Sequence, residues 1–148
     1  MKKLLALLLS IVMVFSLVAC GGKGNKEGDK PGTATINDCY IEITDCVGQV
    51  SNMGQYIALV KVDFTNNSDS STSLFFTADI KAFQNGVALS PAAWVPANHG
   101  ITQDKSDHVL PGHSISTGYA FTLSSTTDPV LVQIYNGSDM ISEKEFNI

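Results

Sequence analysis

The sequence contains no arginine, and charged residues make up only 16% of the chain. From residue 35 to residue 148, four lysines stand against twelve carboxylates, which gives this part a formal net charge of −8. Binding to nucleic acid or to anionic lipid headgroups depends on clustered lysine and arginine side chains. The composition therefore argues against both kinds of partner, and we predict that the protein does not bind nucleic acid.

The chain also lacks an apolar run long enough to cross a membrane comfortably. Its longest run, Leu4 to Ala19, follows a cationic start and has the length of a signal-peptide core. The run ends in Leu17-Val18-Ala19-Cys20, which resembles the lipobox of bacterial lipoproteins. The resemblance implies a diacylglyceryl group on Cys20, cleavage before it, and anchoring at the extracytoplasmic face of the cell membrane. The alternative is an ordinary signal peptide cut after Ala19.

The sequence predicts three segments: a signal peptide at 1–19, the lipidated Cys20 with a linker at 20–34, and one domain at 35–148. Gly21 to Gly32 is dense in glycine and charge and has no apolar side chain to bury, so we predict a flexible tether. As a coil, the tether would reach about 20 Å.

Beyond Ile36 the pattern indicates short strands divided by turn residues, with no helical period. The alternation is clearest in a predicted central strand whose buried face would carry Tyr56, Ala58, Val60, Val62 and Phe64. Asn85-Gly86 lies between two apolar segments and predicts a hairpin with a type I′ turn.

Four further strands are predicted, and they complete an all-β domain. They are Cys39–Thr44, a strand that follows Pro111-Gly112 and extends to Leu123, Val130–Tyr135 and Ile141–Phe146. The total of about seven strands is typical of an immunoglobulin-like β-sandwich.

Five short segments of turn residues and aromatic residues follow one another along this region. They are Phe64-Thr65-Asn66-Asn67-Ser68, Phe83-Gln84-Asn85-Gly86-Val87, Leu110-Pro111-Gly112, Tyr119-Ala120-Phe121 and Pro129-Val130. The pattern resembles the family catalogued as domain of unknown function 5067, which implies an immunoglobulin-like lipoprotein, mainly of Gram-positive bacteria. The family has no assigned activity, so the resemblance assigns no functional residue.

Cys39 and Cys46 are the thiols that remain once Cys20 is acylated, and an exported protein lies where a disulfide could persist. A continuous strand would place their Cα atoms over about 20 Å apart, far beyond the reach of a disulfide. We therefore expect two buried or half-buried thiols, with a disulfide as the alternative if the chain folds back between them.

Histidine and aspartate gather between residues 99 and 113, at His99, Asp104, Asp107, His108 and His113. These residue types can bind zinc or a similar ion, but their spacing matches no known ligand signature. Ser114 and Ser116 do not lie in a Gly-x-Ser-x-Gly motif. We predict no resident metal and no cofactor, and an envelope enzyme or metal-binding protein that uses this loop remains the alternative.

Trp94 is the only tryptophan and lies in a long segment without strand pattern. It would either cover one end of the sandwich core, which is the commoner role, or contact a partner. The sequence as a whole predicts a non-enzymatic binding or interaction module of the cell envelope, whose partner would be an envelope protein or a small ligand. The oligomeric state stays open.

Overall fold

The computed structural model describes residues 30–51, 53–92 and 104–148. In these residues the chain forms eight strands and one short helical turn. The strands are β1 (Thr33–Ile36), β2 (Cys39–Val50), β3 (Tyr56–Asn66), β4 (Asp79–Gln84), β5 (Val87–Ala88), β6 (Ser114–Thr122), β7 (Val130–Asn136) and β8 (Asp139–Phe146); the helical turn α1 is Leu74–Thr77.

The strands form two four-stranded antiparallel sheets, in the orders β1-β2-β3-β6 and β5-β4-β7-β8. Strands β2, β3 and β6 take the places of strands A, B and E of the immunoglobulin fold, and β4, β7 and β8 take those of C, F and G. The predicted all-β, immunoglobulin-like sandwich is confirmed. The strand absent from the prediction is β1, which begins two residues before the domain boundary placed at residue 35.

The core lies between the inner faces of the two sheets. On β3, Ala58, Val60, Val62 and Phe64 are fully buried, as the alternation predicts, but the placement of Tyr56 on the buried face is wrong because its side chain is 54% exposed. Tyr56 lies at the end of the strand, beyond the residues that face the opposite sheet. The predicted hairpin is confirmed, since Asn85 and Gly86 both have positive φ, 51° and 78°.

The middle of β2 contains a β-bulge, with a register shift against β3 between Ile43 and Asp45. Side chains alternate between the two faces of a strand, so an extra residue exchanges the faces beyond it. Ile43 is buried before the bulge and Cys46 is buried after it, although they are three residues apart. The bulge therefore brings Cys39 and Cys46 to the same buried face, which an uninterrupted alternation would not do.

Both cysteines are buried free thiols on one continuous strand, as predicted. Burial, together with the neighbouring carboxylate of Asp45, raises the pKa of the Cys46 thiol to about 12. Burial also raises the pKa of Cys39. Because the thiolate is the reactive form, both side chains should be inert in the folded protein.

We expect an alkylating reagent at neutral pH to leave Cys39 and Cys46 unmodified in the folded protein and to modify both after unfolding in denaturant. Peptide mass spectrometry of protein labelled with and without denaturant measures this at each residue. An intact mass short of two hydrogens under non-reducing conditions would instead show a disulfide.

Candidate functional site

The candidate site lies at one end of the sandwich, which we call the aromatic end. It comprises the loops at residues 37–38, 67–73, 104–113 and 137–138, together with α1. The opposite end, which we call the hairpin end, comprises the turns at residues 51 and 53–55, 85–86 and 123–129.

The helical turn α1 presents two adjacent phenylalanines to solvent. Leu74 and Thr77 lie on its inner side and are buried, whereas the Phe75 and Phe76 side chains are 57% and 71% exposed. Residues three apart share one side of a helix, so the two residues between them must point away from it. The Phe75 and Phe76 rings meet edge to face, with centroids 5.3 Å apart and planes at 79°.

A cleft of about 380 Å³ opens beside the phenylalanine pair. Its other walls come from the start of β4, the turn between β7 and β8, and the ring of Tyr119 on β6. The Nζ of Lys105 lies 4.5 Å from the centroid of the Tyr119 ring, in a cation–π contact. An adjoining cleft of about 220 Å³ shares Lys105, Tyr119 and Asp79 with the first.

The Tyr119 hydroxyl keeps its proton over an extended pH range. Burial raises its pKa, and the carboxylates of Asp79 and Asp104 raise it further. The phenol therefore enters the cleft as a neutral group that can donate or accept a hydrogen bond. A raised pKa makes it a poor base at neutral pH, so the cleft is suited to binding rather than to proton abstraction by Tyr119.

The aromatic end carries a marked excess of negative charge. Its described loops include four exposed carboxylates, at Asp38, Asp69, Asp104 and Asp107, and Lys105 is the lysine among them. The exposed Asp79 and Asp139 begin the adjoining strands β4 and β8. The electrostatic potential around the phenylalanine pair is therefore negative.

Asn66, at the end of β3, joins the two loops that carry the site. Its side chain is fully buried, and its Nδ2 donates to the carbonyl oxygens of Ser70 and Val109, each at 2.8 Å. Its Oδ1 accepts from the Ser68 backbone N–H at 3.0 Å and from the Ser68 hydroxyl at 2.7 Å. In addition, the Phe75 N–H donates a hydrogen bond to the Lys105 carbonyl oxygen at 2.9 Å, which connects α1 to the loop at residues 104–113.

Of the histidines that the metal-binding alternative would bring together, the described His108 and His113 make separate contacts. The Nδ1 of His108 lies 3.4 Å from the Ser71 hydroxyl, and the His108 ring lies against that of Phe76 with centroids 6.1 Å apart. The Nδ1 of His113 lies 3.0 Å from the Pro111 carbonyl oxygen. Within residues 30–51, 53–92 and 104–148, no group of three His, Cys, Asp or Glu side chains could hold a metal ion.

The other predicted site residues, Cys20, Trp94 and His99, lie outside the described residues, and their roles stay predictions. In the described part of the chain, no helix is long and apolar enough to cross a membrane. The sequence-based reasoning missed Phe75 and Phe76, although one signal was present. Two adjacent bulky apolar residues after a serine-rich loop cannot both face the core of one helical turn.

The fold and the matched sequence pattern together define an immunoglobulin-like domain of a recognised family. The chain belongs to the family described as "Domain of unknown function (DUF5067)", whose model matches residues 22–136. No curated protein matches the chain significantly.

Among solved structures, the chain is similar to the one described as "Structure of a putative lipoprotein from Staphylococcus aureus subsp. aureus NCTC 8325". The TM-score is 0.63 and the sequence identity is 12%. The match covers 80% of this chain and 89% of that one. At this identity the likeness concerns the fold alone.

We predict that Asn66→Ala lowers the free energy of unfolding by about 2–3 kcal/mol, because it removes four hydrogen bonds of a fully buried side chain and leaves a cavity in its place. Denaturant unfolding measures the loss, and faster hydrogen exchange at Phe75 to Ala78 would show that the site loosens with it. The exposed neighbour Asn67 provides the control, since Asn67→Ala should change stability by less than about 0.5 kcal/mol. Equal losses for the two variants would refute the role given to Asn66.

Proposed function

We propose that the protein is a lipoprotein anchored at the extracytoplasmic face of the cell membrane, whose sandwich domain is a non-enzymatic binding module. Phe75 and Phe76 would contact its partner, a protein of the cell envelope. The observation that carries this proposal is the exposure of both phenylalanines beside an open cleft.

The exposure of both phenylalanine side chains to water is unfavourable in the protein alone, and this supports an interface at this place. Full burial of a phenylalanine side chain contributes about 1.5–3 kcal/mol, so a partner that covers both rings gains from each. Exposed apolar groups that lie together on a surface are typical of interaction sites, whereas single exposed apolar residues are common. Phenylalanine is also enriched in the buried centres of protein interfaces.

The charge around the pair defines the chemistry of the partner. A protein that inserts an apolar side chain between Phe76 and Tyr119 would bring its neighbouring residues close to Asp79, Asp104 and Asp107. Basic residues at these positions would be attracted, and acidic residues would be repelled. We therefore expect a partner surface with an apolar centre and a basic rim.

The anchor is supported by the sequence at the amino terminus and by one comparison. Leu17-Val18-Ala19-Cys20 follows a cationic start and an apolar run, as in lipoprotein precursors. The structurally similar staphylococcal protein is itself described as a "putative lipoprotein". Two acyl chains on Cys20 would hold the protein durably at the membrane, since each buried methylene contributes about 0.8 kcal/mol.

Replacement of Cys20 by serine should abolish lipid attachment, because serine offers no thiol for acylation. We expect wild-type protein expressed in a bacterial host to enter the detergent phase on phase separation and to carry the added mass of a diacylglyceryl group. The Cys20→Ser variant should either keep its signal peptide uncleaved or, once cleaved, enter the aqueous phase. A Cys20→Ser protein that still carries lipid would contradict the assignment.

The binding site is tested with the double variant Phe75→Ser/Phe76→Ser as bait. Tagged wild-type protein, solubilised in detergent from membranes of the native host, should retain an envelope protein that the double variant loses. Because both side chains are exposed, the variant should keep the thermal stability of the wild type within a few degrees, so lost capture would report lost contact.

Val87→Ser is the matched control, since Val87 is 67% exposed at the hairpin end. It should retain the partner. A Trp94→Ala bait tests the predicted contact at Trp94 separately. A partner that survives the Phe75→Ser/Phe76→Ser change would contradict the site, and one lost with Val87→Ser would move the interface to the hairpin end.

A further inference from the structure

The turn between β2 and β3, at the hairpin end, carries a second exposed apolar surface. Val50, Met53 and Tyr56 are 56%, 77% and 54% exposed. Val50 and Tyr56 pair across the β2–β3 ladder, so their side chains lie next to each other on one face. They border a cleft of about 240 Å³ whose far wall includes Leu123 and Ile148.

Hydrogen bonds join the described residues of this turn. The Ser51 N–H donates to the Gln55 carbonyl oxygen at 2.7 Å, and the Gln55 N–H donates to the Ser51 hydroxyl at 3.1 Å. Gly54 has a φ of 77° and donates its N–H to the Ser51 carbonyl oxygen at 2.9 Å. These hydrogen bonds link the described residues on the two sides of the turn.

The two ends of the sandwich differ in charge, and this difference determines which kind of surface each end can contact. No charged residue occurs between Cys46 and Val60. In the described turns of the hairpin end, the one charged side chain is Asp128, which accepts a hydrogen bond from Asn85 Nδ2 at 2.9 Å. The exposed carboxylates of the aromatic end would be repelled by anionic headgroups, whereas the β2–β3 turn at the hairpin end offers an apolar surface with a tyrosine and no charged side chain. Tyrosine is enriched where membrane and water meet.

The length of the chain before the domain allows the hairpin end to reach the membrane. The domain begins beside Glu42, the fourth of the twelve residues of β2, where the Nζ of Lys30 lies 2.8 Å from a carboxylate oxygen of Glu42. From Glu42 to Val50 the strand extends about 25 Å. The ten residues from Cys20 to Lys30 span up to about 33 Å when extended, which exceeds that distance.

We propose that the β2–β3 turn docks on the lipid bilayer that holds the anchor, with Val50, Met53 and Tyr56 in the headgroup region. The docking rests on the lipid anchor of the proposed function. It turns Phe75 and Phe76 away from the membrane, where a partner can reach them. The attachment to Cys20 keeps the turn close to the surface, so a weak contact suffices.

The test uses the mature lipidated protein in nanodiscs of phosphatidylcholine that contain a nitroxide-labelled phosphatidylcholine. The amide NMR signals are compared before and after chemical reduction of the nitroxide. We expect the signals of Met53, Gly54 and Tyr56 to lose most of their intensity while the nitroxide is active, and those of Phe75 and Phe76 to keep theirs. Met53→Asp should restore the signals of the turn, because a carboxylate is disfavoured in the bilayer.

Leu110→Asp is the matched control, since Leu110 is 61% exposed at the aromatic end. It should leave the broadening of the turn unchanged. Lipidated protein whose turn keeps full intensity would overturn the docking and leave the anchor in place. If the turn keeps full intensity beside the nitroxide but is shielded from a water-soluble relaxation agent, its surface contacts a second copy or another protein. Protein that carries no lipid would overturn the anchor together with the docking.

Discussion

The buried side chain of Asn66 is the interaction on which the aromatic end depends. Apolar packing holds the two sheets together, but it cannot fix loops rich in serine and aspartate. Asn66 does so because its amide has two donors and an acceptor, all of them used, and because β3 carries it into the space between both loops. Leu74 can then be buried with its turn in one orientation, and that orientation leaves Phe75 and Phe76 in solvent.

A similar arrangement holds the hairpin end. Gln84, at the end of β4, is 1% exposed. Its Nε2 donates to the carbonyl oxygens of Ser125 and Asp128, and its Oε1 accepts from the Ser124 and Ser125 N–H groups. A buried amide that satisfies all its hydrogen bonds is costly to replace, because loss of the side chain leaves several groups without partners at once. Each end of the sandwich thus has one buried amide that organises its loops.

The sequence was sufficient to predict the parts of the fold that follow from strand period and turn chemistry. Alternation identified the buried face of β3 from Ala58 onward, and Asn85-Gly86 identified the hairpin, because both depend on neighbouring residues alone. The second half of β2 was missed because the bulge reverses its alternation, and β1 was missed because four residues carry too short a pattern. The sequence shows that Phe75 and Phe76 cannot both face the core from one helical turn, but the exposure of both depends on where Asn66 and Leu74 hold α1 and was not predicted.

The proposed binding function requires no catalytic motif in the sequence. The buried amides and the inner faces of the strands determine the shape of each end, while the side chains that would meet a partner or a membrane contribute little to stability. Phe75, Phe76 and Met53 can therefore be exchanged for other residues at small cost to the fold. Recognition by such a protein has to be sought in exposed apolar groups and in the distribution of charge between its ends, and here the carboxylates surround one apolar surface and leave the other uncharged.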